Sequence, residues 1–140
     1  MTDETFRPIL HGQADLEDAW RTLMEPLGFS SRSLWLMFID TDDRPMPQLT
    51  EIEDLPLALG DEELVGLRQL LSHFRDTGLR PAFLLSRPGA GGLTAADRRC
   101  AAQVLEACRA EAMEVEVMHV ATDTVLAPVP MDDLPLPASA

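Results

Sequence analysis

The sequence predicts a single α/β (α+β) domain, a mixed sheet with flanking helices in the order α-ββ-α-β-α-ββ. Three observations carry this. Residues 33–40, SLWLMFID, are apolar on both faces, as a buried central strand must be. Residues 61–77 place Leu64, Leu67, Leu71 and Phe74 at helical spacing, with Leu70 beside the stripe. Residues 82–120 then read as strand, Gly/Pro loop, long helix, turn and strand, one α/β unit around which the rest is organised.

Residues 1–12 show no periodicity and form a loose arm, with Phe6 or Ile9 available to dock. Residues 13–129 make the domain. Its first helix spans 15–27, where Leu16, Ala19, Trp20, Leu23 and Leu27 recur on one face, Asp15 can cap and Gly28 closes. After the central strand, residues 41–45 are turn-rich and 48–52 alternate, so a second strand folds back as a hairpin. Pro45 and Pro47 confine its start to a sheet edge or a bulge. The helix at 61–77 opens on Asp61, Glu62 and Glu63, which suit the positive end of the helix dipole, and Gly78 stands past its end. Pro81 leads into a strand at 82–86. A helix at 94–112 turns Ala101, Val104, Leu105 and Cys108 inward. Strands at 115–120 and 125–127 flank a turn at Asp123 and Thr124. Both tryptophans read as core residues. From 130 onward the chain is an acidic, Pro-rich tail.

Composition narrows the function. At 140 residues, 46% of them hydrophobic, the chain can build its own core. A net charge of −13 argues against a nucleic-acid partner. No apolar run is long enough for a bilayer and no signal peptide is visible. Cys100 and Cys108 fall on one helix about 12 Å apart, too far for a mutual disulfide, which points to reduced thiols and the cytoplasm. Charge is uneven. Residues 40–63 hold nine acids against Arg44 alone, whereas 68–109 hold seven Arg against Asp76, Asp97 and Glu106. An ordinary solvated acidic face accounts for this, and a bipolar surface would also orient a partner.

The residues after the strand AFLL carry a resemblance. Ser86-Arg87-Pro88-Gly89 follows that strand, Thr94-Ala95-Ala96-Asp97 opens the next helix, and Val117-Met118-His119-Val120 closes the unit. Residues 34–129 thereby resemble the JAB/MPN metalloprotease-like superfamily, most closely its RadC-type branch. In that family a His-x-His-Pro-Ser-Gly loop and an Asp near the start of the following helix bind zinc. The two histidine places fall here on Leu85 and Arg87, neither of which can ligate, and one remaining carboxylate cannot make a three-ligand site. His119 stands at the place of a second-shell histidine. The resemblance therefore implies a JAB/MPN-like fold, no metal, no cofactor and no catalysis, in a module that pairs with another chain or with itself.

Taken as residues, the loop at 87–93 holds one Arg, one Pro and three Gly, and no His, Cys or carboxylate. Thr94-x-x-Asp97 is a capping box, which suffices to explain Asp97. Glycines ahead of a helix can present N–H groups to an anion, with Arg87 adding a charged bond. The ligand-binding candidates are accordingly Arg87, Gly89, Gly91, Gly92, Thr94, Asp97 and His119, although a plain turn explains the glycines equally. A small enzyme with a relocated site would use Arg87, Asp97, His119 or Cys108 on an anionic substrate. A partner-binding surface would instead use the exposed hairpin edge with Glu51, Glu53 and Asp54.

Overall fold

The apolar octet forms strand β1 (Ser33–Ile39), in which every side chain but Trp35 is buried. A computed structural model of the protein describes residues 9–56 and 59–130, with side chains at all of these except 47 and 48. Around β1 run α1 (Gln13–Met24), β2 (Pro45–Ile52), α2 (Asp61–Phe74), β3 (Arg80–Ser86), α3 (Ala95–Ala110), β4 (His119–Ala121) and β5 (Leu126–Pro128). This is the mixed α/β order that the sequence predicts.

The strands make one sheet in the order β2-β1-β3-β4-β5. β1 is antiparallel to both neighbours, β3 and β4 are parallel, and β5 folds back on β4. A parallel pair needs a crossover, which α3 supplies. Because side chains alternate along a strand, each strand feeds two faces. Leu34, Leu36, Phe83, Leu85 and Val120 meet Leu67, Leu71, Val104 and Cys108 of α2 and α3. On the other face Met37, Ile39, Ala82, Leu84 and Ala121 meet Leu16, Ala19, Trp20 and Met24 of α1. Among the described residues no helix is long and apolar enough to cross a membrane.

Several boundaries differ from the sequence reading, each for a local reason. Gly12, not Asp15, is the cap residue of α1, and Asp15 accepts the His11 N–H at 3.0 Å. Pro26 disfavours helical backbone at Glu25, whose ψ is 145°, so α1 stops at Met24 and leaves Leu27 half-buried. β2 begins at Pro45, and its register with β1 slips between Met37 and Ile39, so both the edge and the irregularity that prolines demand are present. α2 ends at Phe74, after which Asp76 and Gly78 take positive φ values of 69° and 84°. β3 starts at Arg80 and so includes Pro81. In α3, Leu105 is half-buried, and Cys100 and Ala107 join the inward stripe.

The greatest shortfall is β4. Ahead of His119 the chain reaches β3 through the Glu116 N–H to the Pro81 carbonyl at 3.1 Å and the Arg80–Glu116 ion pair, without a ladder. β5 lies one residue later than expected. In the N-terminal segment Ile9 is 42% exposed, while its neighbour Leu10 is buried and donates its N–H to Asp43 O at 2.6 Å. Phe6 and the tail beyond 130 lie outside the described residues.

Candidate functional site

The loop after β3 is a closed clasp. Arg87 N–H extends the sheet to Ala121 O at 3.0 Å, after which Gly89 and Gly91 turn the chain at φ values of 105° and 95°, a region costly for any side chain. Two of the N–H groups that an anion would use already have partners. Gly89 N–H donates to Asp123 Oδ2 at 2.8 Å and Gly91 N–H to Thr124 Oγ1 at 3.3 Å. Asp123 N–H returns a bond to Gly89 O at 2.9 Å, and its other carboxylate oxygen accepts Phe29 N–H at 2.9 Å. These bonds from Phe29 and Gly89 hold the Asp123 carboxyl below its ordinary value. An internal carboxylate thus stands where the sequence reading places an anionic ligand.

Beneath the loop lies a buried ion pair. Arg87 grips Asp97 with two bonds, Nε to Oδ1 at 2.8 Å and Nη2 to Oδ2 at 2.7 Å, and Asp97 is wholly buried. The remaining Arg87 donors reach Pro88 O at 3.3 Å and Gly92 O at 3.1 Å. Asp97 also closes the capping box. Thr94 N–H donates to its Oδ2 at 2.9 Å, while its own N–H donates to Thr94 Oγ1 at 3.1 Å. Burial, the largest influence, pushes the Asp97 carboxyl up. The Arg87 and Thr94 bonds and the Arg87 charge outweigh it, so the group sits below its ordinary value. The bonds to Asp97 in turn raise Arg87.

Sequence reasoning missed a third member, Arg32, just before β1. Its Nη1 lies 3.9 Å from Asp97 Oδ1, while its buried Nε and Nη2 have no hydrogen-bond partner among the described residues. The signal was one of topology: β1 is antiparallel to β3, with Ser33 opposite Ser86, which brings Arg32 beside Arg87.

The other predicted site residues do not converge here. His119 pairs in register with Leu84 and so faces α1, where its Nε2 lies 3.8 Å from Glu17 Oε1. Cys108 belongs to the core on the α2/α3 face, so the sheet stands between it and His119. Burial raises the thiols of Cys100 and Cys108 to about 11 and about 12, far from a reactive thiolate. His119 is fully buried, and among the described residues its ring nitrogens have no well-formed hydrogen bond beyond a weak approach to the Val117 backbone. Burial pushes its pKa below the ordinary value against the raising effects of Glu17 and a Val117 backbone bond.

The second candidate surface is exposed. Among the described residues β2 is the last strand on its side of the sheet, and Glu51, Glu53 and Asp54 are exposed along and just past its last residues. Glu51 accepts a bond from Ser33 Oγ at 2.9 Å, which fixes it over β1. Beside Ile52 lies a cavity of about 180 Å³ lined by Leu34, Leu55, Leu59, Leu67, Leu70, Gly66 and Glu63.

No protein-family model matches the chain, and neither a curated protein nor a solved structure matches it.

Two stability tests follow from this geometry. Asp97→Ala strands the buried Arg87 as well as uncapping α3, so chemical denaturation should show a loss of about 3–5 kcal/mol. A lost cap alone would cost about 0.5–2 kcal/mol. The pair Arg87→Met with Asp97→Leu should be less damaging than Asp97→Ala, and a larger loss for the pair would overturn the account.

The second concerns pH. The folded protein resists protonating His119, so the unfolded chain binds the extra proton. Stability is then full above the ordinary value of 6.5 and falls as pH drops below it. Asp97, held below its ordinary 3.8, adds a loss in the same direction at more acid pH. Denaturation between about pH 7 and about pH 5 should weaken the wild type more than His119→Leu. Equal slopes would remove His119 from the account.

Proposed function

We propose that the chain is a non-catalytic, metal-free interaction or scaffold module of JAB/RadC-like type that works by holding another protein. One observation carries this reading: the loop where the resemblance implies chemistry is filled from within, while residues 49–51 of the edge strand are exposed. Leu85, at one implied histidine place, is buried in the core, and Arg87, at the other, is bonded to Asp97. Among the described residues no group of three His, Cys, Asp or Glu side chains is placed to hold a metal. The edge strand β2 ends beside Glu51, Glu53 and Asp54. A second acidic copy pairing there meets repulsion, so a self-dimer would use the Arg-bearing helices and the edge suits a less acidic partner. Two free cysteines fit a reducing compartment, the cytoplasm.

Arg32 favours a second reading, a small enzyme or anionic-ligand-binding protein around Arg87, Asp97 and His119. Its two unpartnered donors are what an anion would satisfy.

Reversing Glu51, Glu53 and Asp54 to Lys should weaken association with a native partner and flatten its salt dependence, leaving the melting temperature nearly unchanged. A protein that stays monomeric at high concentration and captures no partner would end the interaction reading. Melting with added ions separates the alternatives. Neither zinc nor sulfate should raise Tm under the first reading. A rise with sulfate that Arg32→Met abolishes would establish the second.

A further inference from the structure

The exposed residues 49–51 of β2 and the cavity beside Ile52 belong to one surface. In the β1/β2 pairing Leu34 faces Ile52 and Leu36 faces Thr50, so Thr50 and Ile52 point to the α2 side of the sheet. A strand added outside β2 would direct its own alternate side chains the same way, toward the cavity at the Ile52 end. That cavity holds about 180 Å³ and is apolar apart from Glu63. Glu63 turns its Oε1 to Gly60 N–H at 2.7 Å. An apolar cavity of about 150 Å³ accepts a benzene ring, so there is room for one large apolar side chain.

Gly66 supplies an independent observation. It sits in the middle of the fourteen-residue helix α2, where glycine weakens a helix relative to alanine. Among the described residues nothing requires it, since an added Cβ would meet none of their atoms within 4 Å. It lines the cavity, however, and leaves bare helix backbone there, open to close approach by something outside the chain.

Charge selects the occupant. Glu51, Glu53, Asp54, Asp61 and Glu62 are exposed around this end of β2 and the start of α2. The stretch 40–63 offers no positive residue but Arg44. A second copy pairing through its own β2 edge brings the same acids against the rim, its arginines between 68 and 109 lying elsewhere in the fold. The chain's own last ten residues bring Asp132 and Asp133 and no base. Neither complements the rim.

We infer that β2 and the Gly66 cavity together bind an extended segment of another protein, one that pairs with the β2 edge. The segment inserts one leucine- or phenylalanine-sized side chain beside Gly66 and carries Lys or Arg on either side of it. This rests on the interaction reading above and names the class of partner it takes. β2 supplies backbone affinity, the cavity reads one apolar residue, and the rim reads the flanking charge.

A fluorescein-labelled heptapeptide alternating Lys or Arg with apolar residues around a central Leu tests this by fluorescence anisotropy on the full chain. Wild type should bind it, with affinity falling at high salt. Replacing the central Leu by Ala, or every base by Glu, should weaken binding at least tenfold. Gly66→Leu should do the same while its melting temperature stays at or above that of wild type. Failure of the basic peptide to bind, equal binding of the acidic one, or full binding by a folded Gly66→Leu variant each overturns the proposal. The two levels separate with a native partner. Association lost on Lys reversal at the rim but intact in Gly66→Leu sinks the groove while sparing the interaction module. Peptide binding that Gly66→Leu abolishes supports the groove directly.

Discussion

One buried carboxylate holds the loop end of the molecule together. Asp97 caps α3 through Thr94, neutralises Arg87 at the end of β3 and lies under Arg32 at the start of β1. Three elements therefore share one charge. Burying such a group is expensive unless its lone pairs are filled, and here two guanidinium bonds and one backbone N–H fill them. Arg87 then passes the constraint on by holding Pro88 O and Gly92 O, which gives the glycine loop its shape. The glycine loop is thus tied to the chain on both sides, through Arg87 below it and through Asp123 and Thr124 beside it.

Periodicity was enough to read the elements, because β1 is apolar on both faces and α2 and α3 each present a clear stripe. The capping box at Thr94 and Asp97 was equally legible, being a local bond set by a spacing of three residues. The partners across space were not. Arg87 reaches Asp97 over ten residues, and Phe29 reaches Asp123 over ninety-four, distances at which sequence carries no spacing rule. The face taken by His119 depended on parity within a three-residue strand, where one step of register exchanges core and opposite face. Helix ends failed for smaller reasons, such as Pro26 truncating α1.

The two edges of the sheet are managed differently. β5 is only three residues long and ends at Pro128, so it offers little to pair with. β2 is eight residues long, begins with Pro45 and carries acids toward its far end. Proline and like charge both discourage unselective pairing along an edge. What is left is an exposed edge lined by acids, next to an apolar cavity. The sheet thus keeps the Arg87–Asp97 pair buried at one end and exposed acids on one flank.

Cys100 and Cys108 sit on one helix, both sealed under the α2/α3 face of the sheet. Their burial makes them silent in the folded state and exposes them only once α3 lifts away. A thiol probe applied to this protein therefore measures opening rather than chemistry. Its rate of labelling reports how often that layer separates from the strands, and two sulfurs two turns apart distinguish fraying of the helix from loss of the whole layer.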